Sequence, residues 1–236
     1  MAGETSGLRG DLIVTDDVPA AFAREVVTAF RDRPQDHFAF ALSGADDARE
    51  CYRRLAEYGS SLIDWWKVDV YWADERCVPH DHEDSNYRMA REALLDRVGA
   101  ANATHLMRCA EGADAYQLRL GDLGGLDLVH LGMGADGHTA GLFPGCDALE
   151  ADPGRLVSMS EDPTGVAPYR RMTMTPGGIA RATTVVITVS EADRADALSA
   201  IAAGADLPAG RITAGRVVWL VHPSAASGLP QGSQSR

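Results

Sequence analysis

Leu126-Asp-Leu-Val-His-Leu131 runs directly into Gly132-Met-Gly-Ala-Asp-Gly-His138 and on through Thr139-Ala-Gly-Leu-Phe-Pro144. The first six residues form a short apolar run bounded by glycine, the pattern of a buried strand. Glycines at 132, 134 and 137 allow positive φ and let a ligand approach the backbone closely. The pattern predicts a strand, a Gly-rich turn, and a short helix that begins near Asp136 and His138. Histidine titrates nearest neutral pH, so it can take a proton from water and return it to a leaving group. A lone His at a turn would as readily cap a helix or pack. Asp136, Gly137 and His138 clustered at a strand end point instead to proton transfer.

The same alternation extends outward in both directions. Upstream, strands are predicted over 11–14, 37–42 and 68–72, with helices over 19–33, 46–58 and 85–98. Ser85 is the N-cap candidate of the last helix. Downstream, strands 183–189 and 217–221 flank a helix over 191–203. Strands alternating with helices of this length imply βαβ units around a mostly parallel sheet, an α/β fold. No repeat or long linker divides the chain, so one domain is expected over 10–226. The polar ends 1–9 and 227–236 are expected to fray. Ligands of such sheets bind beyond the carboxyl ends of the strands. Three strand ends therefore matter most: Ser43-Gly44, Asp74-Glu75-Arg76, and Gly132 to His138.

Two acids and an arginine directly after a buried strand are costly in a dry site unless they pair or bind something. Arg76 is a fixed cation suited to a carboxylate, a phosphate or a developing oxyanion. A solvated salt-bridge loop would read the same way in isolation. The run His80-Asp-His-Glu-Asp84 contains an H-x-H pair, but it follows Pro79 in a polar loop and no distant Cys/His pair completes it. No metal is expected there.

The net charge of −12 over 236 residues argues against general nucleic-acid binding and against attachment to an anionic membrane. No apolar stretch approaches the roughly 20 residues of a membrane span. The start, MAGETSG, lacks the pattern of a signal peptide. Cys51, Cys77, Cys109 and Cys146 form no C-x-x-C pair and are expected to be reduced thiols in a cytoplasmic protein.

These boxes, in this order, resemble the 6-phosphogluconolactonase family. They are Ser43-Gly44, Asp74-Glu-Arg-x-Val-Pro79, Ser85-Asn86, Leu131-Gly-Met-Gly-x-Asp-Gly-His-Thr-Ala140 and Leu142-Phe-Pro144. Arg171-Met-Thr-Met-Thr175, Leu207-Pro-Ala209 and Trp219-Leu-Val221 add to the likeness, which covers about residues 11 to 226. The resemblance implies a Rossmann-like fold with helices on both faces, shared with glucosamine-6-phosphate deaminases and ribose-5-phosphate isomerases. It implies opening of a phosphorylated sugar lactone in the oxidative pentose phosphate pathway, without metal or nucleotide cofactor, by a monomer or weak homodimer. In that reading His138 is the general base and Arg76 stabilises the oxyanion. Asp74, Asp136 and Asn86 hold the base and the sugar hydroxyls. Ser43, Gly44, Glu75 and Gly134 contribute to substrate binding, and Arg171 and Arg194 hold the phosphate.

The chain departs from the family at three places. Where the family's phosphate loop reads Ser-Gly-Gly-Ser/Thr-Pro, this chain has Ser43-Gly-Ala-Asp-Asp-Ala48. Asp46 and Asp47 make good N-caps, yet a carboxylate beside a phosphate is repulsive by about 1 kcal/mol or more. Glu191 replaces a family Gly, and His222 an Asp. Alternative readings are therefore a hydrolase of a different or unphosphorylated lactone, or a non-catalytic sugar-phosphate-binding relative. A glucosamine-6-phosphate deaminase ranks lower: its similar turn continues into Asn-Glu, whereas this chain has Leu142 and Phe143, which cannot move protons.

Overall fold

The computed structural model describes residues 8–44 and 47–229. In chain order it comprises β1 (Asp11–Val14), α1 (Val18–Asp32), β2 (Phe38–Leu42), α2 (Ala48–Gly59), β3 (Val68–Trp72), β4 (Asp74–Arg76), α3 (Asn86–Ala93) and β5 (Ala103–Thr104). There follow α4 (Ala113–Leu123), β6 (Leu128–Gly132), β7 (Val157–Ser160), β8 (Arg171–Met174), α5 (Pro176–Ile179), β9 (Thr184–Val189), α6 (Ala195–Ala202) and β10 (Arg216–Val221).

Seven strands form one sheet in the order β1-β10-β9-β6-β2-β3-β5, and every pairing in it is parallel. Successive strand residues point to opposite faces. All residues of β2, β6 and β9 are buried, so both faces of the central sheet are covered. Their composition follows from this: Phe38-Ala-Phe-Ala-Leu42 and Thr184-Val-Val-Ile-Thr-Val189 are continuous rather than alternating runs. Helix α1 starts where Asp17 accepts the Ala20 N–H at 3.0 Å, with proline in its first turn. It turns Phe22, Val26 and Phe30 inward and packs on α2 and β9. Ser85 caps α3 as predicted, accepting the Arg88 N–H at 3.2 Å.

Three features differ from the sequence expectations. First, a small antiparallel sheet, β4-β8-β7, sits beside the parallel one. Asp74-Glu75-Arg76 is thus a strand rather than a loop, and it aligns Asp74 with Thr173 and Arg76 with Arg171. Periodicity could not reveal it, because a three-residue strand has no readable period. Second, packing reaches slightly past the predicted domain limits. Leu8 is buried, the Trp219 indole donates to the Arg9 carbonyl at 2.9 Å, and Ser199 donates to the Gly228 carbonyl at 2.8 Å.

Third, two of the cysteines are not free thiols. Cys77 and Cys109 form a disulfide with Cα atoms 5.5 Å apart, whereas Cys51 and Cys146 are free and buried. The expectation of four reduced cysteines is corrected on this point. Spacing along the chain hid the pair, because β4 delivers Cys77 and a short turn of helix delivers Cys109 from 32 residues away. A bridge over a loop of this length contributes about 3–4 kcal/mol in the chain-entropy model. We expect Cys77→Ser/Cys109→Ser, or the reduced wild-type protein, to lose stability of that order in urea unfolding. An unchanged midpoint would show that the bridge does not constrain the unfolded chain.

Candidate active site

The turn after β6 carries the imidazole. Gly134 N–H donates to the His138 carbonyl at 2.9 Å, and Gly137 N–H to the Gly134 carbonyl at 3.0 Å, which closes a tight loop. The helix predicted from Asp136 does not form. Gly137 lies at φ +80°, Ala140 at +50° and Gly145 at +77°, and Pro144 intervenes, so helical dihedrals are interrupted throughout. Ala140 is the one non-glycine residue at positive φ among the described residues, a strained position within the site. Thr139 donates to the Gly132 carbonyl at 2.7 Å, and Gly141 N–H donates to Thr173 at 3.0 Å.

Asp136 Oδ1 sits 2.6 Å from His138 Nδ1 and also accepts the His138 backbone N–H at 3.1 Å. Burial pushes the Asp136 carboxyl up, but the bonds from His138 outweigh it and leave it below its ordinary value. A carboxylate on Nδ1 fixes the tautomer and leaves Nε2 as the nitrogen for chemistry. The Phe143 ring lies 5.0 Å from the imidazole, and a Cβ at Gly134 would come within 2.2 Å of Nδ1. Glycine is required at 134 for the dyad to fit.

The second strand end supplies buried carboxylates and a cation. Asp74 is 2% exposed and meets Arg171 at 2.8 Å, a pair built by the β4–β8 register. Glu75 points inward. Its carboxylate accepts the N–H groups of Arg76, Asn86 and Tyr87 at 2.7, 2.8 and 2.8 Å, and the Ser85 hydroxyl at 3.2 Å. Burial pushes its carboxyl up to about 7, against the pull of the Tyr87 and Asn86 N–H donors. Asn86 is fully buried: its amide donates to the Asp74 carbonyl at 2.8 Å and accepts from Arg76 at 3.1 Å. Arg76 also donates to the Asp84 carbonyl at 2.9 Å and makes no ion pair among the described residues. A Cβ on Gly44 would fall 1.9 Å from the Asn86 oxygen, so the β2 turn and α3 meet only through glycine.

Beneath Ser43 lies a polar network that the sequence reading did not single out. The Tyr52 hydroxyl accepts the Ser43 N–H at 2.6 Å and donates to the Ser43 carbonyl at 3.0 Å. His130 bridges Tyr52 and Thr188 through its two ring nitrogens, each at 3.0 Å. Burial pushes His130 down to about 3, so it is neutral. Its only sequence signal was a histidine inside an apolar strand.

The altered loop is seen in part, since Ala45 and Asp46 lie outside the described residues. Asp47 occupies the N-cap position of α2 as expected, but its side chain makes no capping hydrogen bond. Its carboxylate turns to the Ser190 hydroxyl at 3.1 Å, and burial pushes it up to about 6. Arg194 donates to the Met133 carbonyl at 3.1 Å and pairs with Glu191 at 3.1 Å and with Asp193. His222, where the family has Asp, bonds Ser224 at 2.7 Å.

These elements enclose a cavity of about 140 Å³ at the carboxyl ends of β2 and β6. Ser43, Gly44, Asp74, Arg76, Gly134 and His138 line it, together with Arg171 and Arg194. Glu75, Asn86 and Asp136 stand behind the lining and hold it. Glu75, expected at the substrate, makes four internal hydrogen bonds in this structure. Among the described residues no group of three or more His, Cys, Asp or Glu side chains could hold a metal ion, and no helix is long and apolar enough to cross a membrane. His82 uses Nδ1 to accept the Asp84 N–H at 3.1 Å.

The parallel α/β sheet thus presents a carboxylate-held imidazole among arginines at its strand ends, an arrangement that can transfer protons. The family model for glucosamine-6-phosphate isomerases and 6-phosphogluconolactonases matches residues 14–219. A 6-phosphogluconolactonase of Synechocystis sp. is 34% identical over 248 residues, covering 97% of this chain and 99% of the relative. One of Mycobacterium tuberculosis is 35% identical over 210 residues, covering 80% and 84%. The solved 6-phosphogluconolactonase from Trypanosoma cruzi superposes with a TM-score of 0.82 at 25% identity, covering 96% and 99%. The chain belongs to the 6-phosphogluconolactonase family, a family of hydrolases.

Glu75 generates a direct expectation. In Glu75→Gln the amide nitrogen cannot accept from Tyr87 or Ser85, so a buried donor is left unpaired at a cost of about 1–3 kcal/mol. Because Arg76 and Asn86 hang on the same carboxylate, kcat should fall with the stability while the fold persists. Wild-type unfolding and turnover in this variant would remove the positioning role.

Proposed function

We propose that the chain opens 6-phospho-D-glucono-1,5-lactone to 6-phospho-D-gluconate, with His138 as general base. The observation that carries the reading is the 2.6 Å Asp136–His138 contact, in a cavity that three arginines also line. Nε2 takes a proton from water while the oxygen attacks the lactone carbonyl. The tetrahedral oxyanion collapses with cleavage of the bond from carbonyl carbon to ring oxygen. The imidazolium then returns its proton to that departing oxygen. Asp136, held ionised, stabilises the transient imidazolium.

Arg76 is the natural partner for the oxyanion, since its charge is bound only by a carbonyl and an amide oxygen and not by a carboxylate. Arg171 and Arg194 are assigned to the phosphate. Both carry carboxylate partners in this structure, and those of Arg194 among the described residues include the exposed Glu191 and Asp193, which a phosphate can displace. Asp74 is assigned to Arg171 and to the sugar side of the cavity. Leu142 and Phe143 are buried apolar neighbours of the turn, so no second acid stands there for the proton shuttling of a deaminase. A monomer or weak homodimer in a cytoplasmic setting, acting without a cofactor, belongs to the same proposal.

His138→Ala should fold normally and lose about 100- to 10,000-fold in kcat over the spontaneous background. Near-normal turnover would assign the base elsewhere. Arg194→Ala should raise KM for the phosphorylated lactone by about 10-fold or more with a smaller change in kcat, because it removes binding shared by ground and transition states. An equal KM effect on unphosphorylated gluconolactone would rule out a phosphate contact.

A further inference from the structure

Outside the active site, on the open edge of the parallel sheet, α3, β5 and α4 enclose a second cavity of about 470 Å³. Its lining is unusual for this chain, which carries a net charge of −12. Arg91, Arg108 and Arg119 converge on it, with Asp96 the one acid in the lining. Arg119 makes no hydrogen bond or ion pair among the described residues. Arg91 lies 3.4 Å from Asp96 without making a hydrogen bond through its buried Nε, and Arg108 has only an exposed contact to Glu111 at 3.7 Å. Arg119 thus keeps its full charge for a ligand, and the contacts of Arg91 and Arg108 join exposed or half-exposed side chains, where an ion pair holds a cation only weakly.

Between the arginines the lining is apolar or aromatic. Leu95 and Leu106 pack on the core, and the Tyr87 ring lies beneath the Arg91 guanidinium at 5.9 Å. The His105 ring stacks on Tyr71 with centroids 4.4 Å apart, and its nitrogens make no hydrogen bond among the described residues. Burial and Arg119 lower its pKa, so it offers a neutral donor and acceptor. Thr104 adds a hydroxyl. A ligand matched to this lining has several negative charges at one end and a flat, largely apolar body with hydrogen-bonding edges at the other. The volume falls within the range of about 300–1,000 Å³ typical of small-molecule sites.

We propose that this edge cavity is a second ligand site that binds a nucleotide, its phosphates on Arg91, Arg108 and Arg119 and its base against Tyr87 and His105. The site is separate from the lactone cavity, shares no lining residue with it, and supplies no group to the hydrolysis. It does not depend on the lactonase reading.

The test is calorimetric titration of the full-length protein with ADP, adenosine and inorganic pyrophosphate. ADP should bind one per chain, and adenosine and pyrophosphate each at least about tenfold more weakly, because each keeps only half of the contacts. Arg108→Ala/Arg119→Ala should weaken ADP about tenfold or more and leave lactone kinetics within about twofold, whereas Arg194→Ala should leave ADP binding intact. Should the alanine pair fail to fold, Arg119→Gln carries the same expectation at a single exposed position. No ADP binding up to about 10 mM would overturn the proposal, since that ligand would then contribute under about 3 kcal/mol. So would ADP binding that is lost in Arg194→Ala and kept in the edge variants, because the nucleotide would then occupy the lactone cavity. Pyrophosphate binding as tightly as ADP would overturn the nucleotide assignment.

Discussion

The buried carboxylate of Glu75 is the constraint on which the site depends. It sits between β4 and the first turn of α3 and collects three backbone N–H groups and a hydroxyl. The N–H groups of Asn86 and Tyr87 are among those a helix start leaves without intrahelical partners. One acid therefore satisfies the start of α3 and clasps it to the strand that carries Asp74 and Arg76. Through that clasp Asn86 reaches back to the Asp74 carbonyl and to Arg76, and Gly44 can approach them from β2. Remove the carboxylate and Asn86, one of the two groups that hold the Arg76 guanidinium, loses its anchor.

Charge placement in the site follows from the acidity of the chain as a whole. Arg171 is held by buried Asp74, and Arg194, among the described residues, by Glu191 and Asp193 nearer solvent. Arg76 alone of the three has no carboxylate partner among the described residues and is bound by neutral oxygens only. The arginine assigned to the oxyanion thus keeps its charge undivided, while the two assigned to the phosphate are prepositioned by anions that the substrate must compete with. Asp47 adds to this balance. Its burial and its bond to Ser190 place another acid beside Glu191 and Arg194, where the related family carries a neutral loop.

Glycine decides how closely these parts meet. At Gly134 a side chain would collide with the Asp136–His138 pair, and at Gly44 with Asn86. Both positions sit at carboxyl ends of parallel strands, where the chain must turn sharply and still leave room for a ligand. Beneath them the Tyr52–His130–Thr188 network ties the Ser43 turn to the neighbouring strands with every ring nitrogen of His130 occupied. A buried polar chain of this kind is stabilising only when fully satisfied, and this one fixes the floor of the cavity.

The sequence by itself determined the parallel sheet and the dyad. Continuous apolar runs bounded by Gly and Ser give strands buried on both faces, and Asp136 and His138 lie two residues apart in a turn, so their contact is local. The strand ends that would carry chemistry could be placed for the same reason. What only the tertiary structure decided is every partnership across long separations. Arg171 meets Asp74 from 97 positions away, Cys77 meets Cys109 across 32, and Ser190 meets Asp47 across 143. The three-stranded antiparallel sheet and the inward turn of Glu75 belong to this class. Local propensity cannot report them, because a side chain that ends in a hydrogen-bonded clasp and one that ends in solvent have the same sequence. Which of the two it becomes is set by where the sheet register brings its partners.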